Sequence, residues 1–130
     1  MQLSTYIIKE VFFIMAEGIY TMNVNVVEKT IDMTVSGTFT PEKAKQFIND
    51  YQQKVSSINA SEFILEFDCR DLDVVTKEMI PDLENCLTLY KSSGFKKVEV
   101  GIKKSAIISM QLKRLANNVG LTTFEVIQKY

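Results

Sequence analysis

The fold is decided by residues 63–86, which read FILEFDCRDLDVVTKEMIPDLENC. The first five of these residues, 63–67, form a short and nearly continuous apolar run, which is typical of a β-strand covered on both faces. A loop rich in acidic residues follows. Beyond it the apolar positions return at helical spacing, namely at Met79, Ile80, Leu83, Cys86, Leu87 and Tyr90. Strand, loop and helix in this order indicate an α/β fold in which helices flank a sheet.

The residues on the N-terminal side predict a hairpin and then a helix. Apolar and polar residues alternate over 20–26 and again over 31–36, with a short turn between the two runs. This alternation predicts two half-buried strands. Thr40 and Pro41 then provide an N-cap and a proline at the first helical position, which mark the start of an amphipathic helix.

The residues on the C-terminal side repeat the alternation of strand and helix. Gly94 is placed to end the second helix, and an alternating strand follows around Val98, Val100 and Ile102. A third helix from about residue 105 ends at Gly120, and residues 123–127 form a last strand. The predicted order is β-β-α-β-α-β-α-β, which implies a mixed, mostly parallel sheet with helices packed against it.

Residues 1–19 form an N-terminal apolar extension before the domain of residues 20–130. Lys9 and Glu10 interrupt its apolar run, which is also far shorter than the roughly 20 residues of a membrane-spanning helix. The segment lacks the basic leader and uncharged core of a signal peptide. Its pattern is compatible with a short amphipathic helix or with an extra strand.

The composition limits the possible functions. A chain of 130 residues that is 46% hydrophobic suits one compact domain, and the formal net charge of -1 gives no general attraction to nucleic acid. There are no histidines, and the two cysteines, Cys69 and Cys86, lack metal-ligand spacing. We therefore expect a protein without enzymatic activity, cofactor, metal or membrane span, with both cysteines buried in a reducing compartment.

Four stretches of the chain resemble the successive landmarks of the STAS domain, the module of bacterial anti-sigma-factor antagonists. They are VSGTFTPEKAKQF, ILEFDCRDLDVV, SGFKKVEVGI and LANNVGLTTFEVI. The resemblance covers roughly residues 20–128 and rests on the order of the landmarks. It implies a bacterial, cytoplasmic, STAS-like regulatory module that acts through protein contacts and has a kinase-like anti-sigma factor as a possible partner.

The regulatory switch of that family has no exact counterpart in this sequence. Regulatory members carry Asp-Ser-Ser-Gly at the start of the second helix, where a partner kinase phosphorylates a serine. Alignment from Asp68 places residues 76–79, Thr-Lys-Glu-Met, at that position. Thr76 is then a possible phosphate acceptor, and Glu78 is a possible permanent substitute for the phosphate charge. The similar residues 92–94, Ser-Ser-Gly, fall at the end of the same helix and indicate a glycine stop.

The loop before the second helix is the candidate site for a partner or switch. Its candidate residues are Asp68, Asp71, Asp73, Thr76, Lys77, Glu78 and Asp82. Three interpretations remain open: a solvated loop whose acids favour the start of a helix, a partner-binding surface, and a divalent cation held by the first three aspartates. The position of Pro81 predicts that the first turn of the helix is irregular or that the helix begins late.

Two other functions remain open at this point. One is a small-molecule or lipid-handling STAS-like domain, in which the apolar N-terminal segment covers a pocket between sheet and helix. The other is a self-assembling structural protein, and a homodimer is a further possible assembly. A co-purified apolar ligand would favour the first, whereas recovery of only copies of the chain would favour the second.

Overall fold

The computed structural model describes residues 18–130 and contains five strands and three α-helices in this part of the chain. The N-terminal extension predicted for residues 1–19 lies outside the described residues except at its last two positions. In chain order the elements are β1 (Ile19–Asn25), β2 (Thr30–Ser36), α1 (Pro41–Val55), β3 (Ile64–Asp68), α2 (Ile80–Ser93), β4 (Lys97–Ile102), α3 (Ala106–Val119) and β5 (Phe124–Gln128). Short 3-10 helices occupy Ala60–Glu62 and Lys77–Met79.

The strands form one mixed sheet in the order β1-β2-β3-β4-β5. The β1–β2 hairpin is antiparallel, and each later strand lies parallel to the one before it. The predicted α/β class, the element order and the mixed, mostly parallel sheet are therefore confirmed.

All three helices lie on one face of the sheet. The crossovers from β2 to β5 each advance by one strand in the same direction, and right-handed connections of this kind place successive helices on the same side. The side chains of this face form the core, in which the most deeply buried residues are Ile31, Leu65, Val98 and Ile102. The edge strand β1 takes part as well, because the ring of Tyr20 packs edge-on against Phe47 of α1 with 5.2 Å between the ring centroids.

The opposite face of the sheet is polar, which corrects the expectation that β3 is covered on both faces. Along β3, buried and half-buried residues alternate, so that Leu65 and Phe67 face the helices while Glu66 faces away. Glu66 stands in register with Asp32 on β2 and with Glu99 on β4. Partial burial, together with the Asp32 and Glu99 carboxylates, raises the pKa of Glu66. The sequence of this strand gave a nearly continuous apolar run because Ile64, the outward-facing residue before Glu66, is itself apolar.

The helix ends agree with the sequence signals. The Thr40 hydroxyl accepts a hydrogen bond from the Lys43 amide at 3.2 Å, and Pro41 is the first residue of α1. Gly94 and Gly120 end α2 and α3 with φ of 77°, a left-handed conformation that glycine adopts without strain. Local chemistry therefore sets the helix lengths, and so fixes where each connecting loop begins.

Leu65→Ala should test the buried face of the central strand. Leu65 is 0% exposed, and removing its side chain leaves a cavity, so we expect the free energy of unfolding to fall by about 2–5 kcal/mol. Urea denaturation followed by circular dichroism measures this change. Val27→Ala is the control, because Val27 is 84% exposed and its truncation should change stability by less than about 0.5 kcal/mol. Equal losses in the two variants would contradict the assignment of Leu65 to the core.

Candidate functional site

The candidate site lies where β3 leaves the sheet. Parallel strands β2, β3 and β4 end at the same edge, and the long connection from β3 to α2 runs along this edge. We call residues 68–82 the acidic corner. The candidate residues therefore lie at or beyond the carboxyl edge of the parallel part of the sheet.

One side of the acidic corner is tied to the end of β2. The Gly37 amide donates to the Asp71 carbonyl at 2.9 Å, and the Asp73 amide donates to the Gly37 carbonyl at 3.3 Å. The Thr38 hydroxyl also donates to the Asp73 carboxylate at 2.6 Å. Gly37 has a φ of 75°, so the backbone at this junction requires glycine or a strained residue.

The other side of the acidic corner is tied to α3. The side-chain carbonyl of Gln111 accepts from the Val75 amide, and its amide group donates to the Val75 carbonyl, both at 3.1 Å. A single side chain therefore satisfies both backbone groups of Val75. Together with the bonds at Gly37, this pair fixes the path of a loop that has little regular secondary structure.

Asp68 differs from the other acids of the corner because its carboxylate is held in a bidentate ion pair with Arg70. Its carboxylate accepts from Nε of Arg70 at 3.0 Å and from Nη2 at 2.8 Å, and the Arg70 guanidinium stacks on the Tyr130 ring at 3.9 Å. Hydrogen bonding to Arg70 lowers the pKa of Asp68. The side chain lies on the polar face of the sheet, because it alternates with the buried Phe67.

The geometry does not bring the three aspartates together around one cation. Asp68 pairs with Arg70, Asp71 lies 3.6 Å from Lys103, and Asp73 accepts from Thr38. Among residues 18–130, no group of three acidic or sulfur side chains is placed to hold a metal ion. The structure therefore gives no support to the cation interpretation of the acidic corner.

The predicted switch residues lie on the surface of the acidic corner. Thr76, Lys77 and Glu78 are exposed, and Thr76 precedes the 3-10 turn that delays the start of α2. Within the described part of the chain the Thr76 side chain makes no capping hydrogen bond. Pro81 lies in the first turn of α2, where its missing N–H costs little, so the predicted late start of the helix is confirmed.

The sequence did not show how exposed two residues of the acidic corner are. Val74 is 51% exposed although it is apolar, and Asp82 is half-buried in the first turn of α2. The adjacent Val74 and Val75 are indistinguishable in the sequence, and the structure shows Val74 exposed and Val75 half-buried, with both backbone groups of Val75 bonded to Gln111. The exposed valine places an apolar contact among charged side chains.

A cavity of about 130 Å³ lies beneath the acidic corner, between the sheet, α1 and α2. We call it the sheet–helix cavity. Its walls are largely apolar and include Val35, Phe47, Phe67, Leu72, Leu83 and Leu87. It lies between sheet and helix, where the small-molecule or lipid-handling alternative places a pocket. The N-terminal segment that this alternative uses as a cover lies almost entirely outside the described residues. The pattern of apolar residues could not distinguish the walls of a cavity from a filled core.

Both cysteines border the sheet–helix cavity as buried, free thiols. Burial raises the pKa of Cys69 to about 12 and that of Cys86 to about 11. Both thiols are therefore protonated near neutral pH and act as small apolar wall residues. This agrees with the burial predicted for them.

In the comparisons with known proteins, no family model, curated protein or solved structure matches the chain. The class that the described residues define is an α/β domain with a five-stranded mixed sheet and three helices. Its STAS character stays a prediction from the sequence. Over residues 18–130, none of the helices has the length and apolarity needed to cross a membrane.

Arg70→Gln should raise the pKa of Asp68 toward the ordinary value of an aspartate. The ion pair stabilises the fold at a pH above that ordinary value, and its contribution is lost as the pH falls through the lowered pKa of the folded protein. The stability difference between wild type and variant should therefore disappear in acid. Carboxyl-carbon NMR titration measures the pKa. Lys29→Gln is the control, since it should raise the lowered pKa of Glu62 toward its ordinary value and leave the pKa of Asp68 unchanged.

Gln111→Ala should loosen the acidic corner. It leaves both backbone groups of Val75 without their partner, so we expect a stability loss of about 1–2 kcal/mol and faster hydrogen exchange at the Val75 amide. NMR-detected exchange measures this rate. Gln46→Ala, at an exposed position on α1, is the matched control and should leave the exchange unchanged. Unchanged protection of Val75 in Gln111→Ala would disprove the tether.

Proposed function

We propose that this protein is a non-enzymatic regulatory module of the anti-sigma-factor-antagonist type, which acts in the bacterial cytoplasm by binding a protein partner through the acidic corner. The resemblance to STAS domains suggests a kinase-like anti-sigma factor as the partner. The α/β class and the element order are compatible with this proposal.

The observation that carries the proposal is a fixed backbone that presents exposed side chains. Val74, Thr76, Lys77 and Glu78 are exposed, while hydrogen bonds to Gly37 and Gln111 hold the loop beside them. A surface fixed before binding loses less conformational entropy on association. An exposed valine among charges of both signs offers an apolar contact together with electrostatic selectivity.

In this proposal, the role of the phosphorylated serine falls either to a phosphate on Thr76 or to the permanent charge of Glu78. A phosphate on Thr76 would add a charge of about -2 beside Glu78, close to the carboxylates of Asp73 and Asp82, and would repel an acidic partner surface. Without phosphorylation, Glu78 supplies a permanent negative charge in the same turn. The first case is a reversible switch, whereas the second holds the module in one signalling state.

A second candidate function is suggested by the sheet–helix cavity. An apolar space directly under the acidic corner favours a small-molecule or lipid-handling domain over a self-assembling structural protein. The two leading functions are compatible, because a molecule in the cavity would lie against the inner side of the partner surface.

Glu78→Lys should weaken capture of the partner. In a pull-down from the native organism, with the captured protein identified by mass spectrometry, we expect recovery of a kinase-like anti-sigma factor and a roughly fivefold weaker interaction for the variant, the size typical of one exposed ion pair. Glu28→Lys is the matched control. It makes the same charge change at an exposed residue of the β1–β2 hairpin, at the opposite edge of the sheet.

Three outcomes would change the proposal. Equal binding by Glu78→Lys and wild type would remove the acidic corner as the contact surface. Recovery of only further copies of this chain would favour a self-assembling structural protein or a homodimer. Incubation of the captured kinase with ATP and with wild type or Thr76→Val tests the switch, and failure to label Thr76 would leave Glu78 as the fixed charge.

A further inference from the structure

We propose that the sheet–helix cavity is a binding site for a small apolar molecule with an uncharged polar head group, such as a short-chain alcohol or a phenol. This inference rests on the second candidate function, the small-molecule-handling domain, for which it names the ligand class, and it does not depend on the proposed protein partner. It rests on the volume of the cavity, the chemistry of its walls and the charges at its opening.

The volume sets the size of the ligand. At about 130 Å³, the cavity has a volume similar to that of an engineered apolar cavity of about 150 Å³ that binds benzene. It can therefore hold the equivalent of one six-membered ring or a chain of roughly six carbon atoms. Longer lipids would have to extend past the acidic corner into solvent.

The walls set the polarity of the ligand body. Aromatic and aliphatic side chains from the sheet and both neighbouring helices face the space, among them Phe67, Leu83 and Leu87. The two thiols that border it are neutral near pH 7, so they neither attract a charged group nor act as ready nucleophiles. These walls favour reversible binding of an apolar body, because the gain comes from removing that body from water.

The opening sets the head group. Thr38, Asp73, Thr76 and Asp82 are wall residues on the side of the acidic corner whose side chains carry hydroxyl or carboxylate oxygens, and we place the head group of the ligand on this side. An alcohol can donate a hydrogen bond to one of these oxygens. A carboxylate of the same length would instead be placed close to two negative charges and would be disfavoured. The site therefore selects against fatty acids and for neutral amphiphiles.

Binding in this cavity would act on the acidic corner. Leu72, Val75 and Met79 line the cavity and belong to the corner at the same time. A ligand in contact with these side chains would hold the loop from within, in addition to the bonds to Gly37 and Gln111. Ligand binding should therefore slow hydrogen exchange at the Val75 amide.

The direct test is an NMR titration of the methyl-labelled full chain at pH 7 with 1-hexanol and, separately, with hexanoate. We expect 1-hexanol to shift the methyl signals of Leu72, Leu83 and Leu87 with an affinity of about 1 mM, and hexanoate to bind at least tenfold more weakly. The methyl groups of Val27, at the exposed hairpin tip, should not move. Absence of shifts at the three leucines, or equal binding of hexanoate, would overturn the proposal.

Ala44→Leu tests the location of the site. Ala44 is a buried wall residue on α1, and a larger side chain there should occupy the cavity, reduce 1-hexanol binding at least tenfold and leave the melting temperature unchanged or higher. Ala106→Leu, at an exposed residue of α3, is the matched control and should bind normally. If Ala44→Leu does not fold, Cys86→Leu fills the space from α2. Normal 1-hexanol binding by a folded filling variant would overturn the assignment.

Asp82→Asn tests the head-group selectivity. The variant keeps the size of the side chain and removes one negative charge at the opening, so hexanoate should bind at least threefold more tightly than to wild type, while 1-hexanol binding stays the same. Glu78→Gln is the control, because Glu78 carries the same charge in the acidic corner but does not line the cavity. An equal gain in both variants would show that overall charge, and not the opening, excludes the carboxylate.

Discussion

The structure depends on the constraint that all three crossovers advance in the same direction across the sheet. Because each crossover is right-handed, the helices gather on one face, and this face must supply nearly all of the apolar burial. Leu65, Val98 and Ile102 meet this requirement from the central strands. The other face can then carry the in-register carboxylates of Asp32, Glu66, Glu99 and Glu125, which would be costly to bury beneath a second layer of helices.

The same arrangement explains why the acidic corner covers a cavity. Helices α1 and α2 begin at the carboxyl edge of the sheet, but the late start of α2 at Ile80 leaves the space near this edge to a loop. Gly37 and Gln111 fix the backbone of the loop, so its inner residues cover an incompletely filled core while its outer residues face solvent. In the two proposals, the protein partner would contact the outer side of this loop and the small molecule would lie against its inner side.

Local signals in the sequence predicted a large part of the fold. Strand alternation, the Thr40–Pro41 start and the glycine stops at 94 and 120 depend on neighbouring residues, so they could be identified without the structure. The one-sided sheet could not, because it depends on the direction of crossovers between distant elements. The bond from Gln111 to Val75, 36 residues apart, and the stacking of Arg70 on Tyr130 also depend on tertiary contacts. Sequence therefore located the acidic corner but could not show which of its side chains are paired, exposed or turned inward.

The central claim is that one face of the sheet carries all three helices, and side-chain NOE spectroscopy of the full chain tests it most directly. The account predicts contacts from Phe47 on α1, Leu87 on α2 and Leu112 on α3 to inward side chains of the sheet, since all three line the sheet–helix cavity together with Phe67 and Val100. It also predicts that none of these helices contacts Glu66 or Glu99. NOEs from any of the three helices to the protons of these two glutamates would contradict the account.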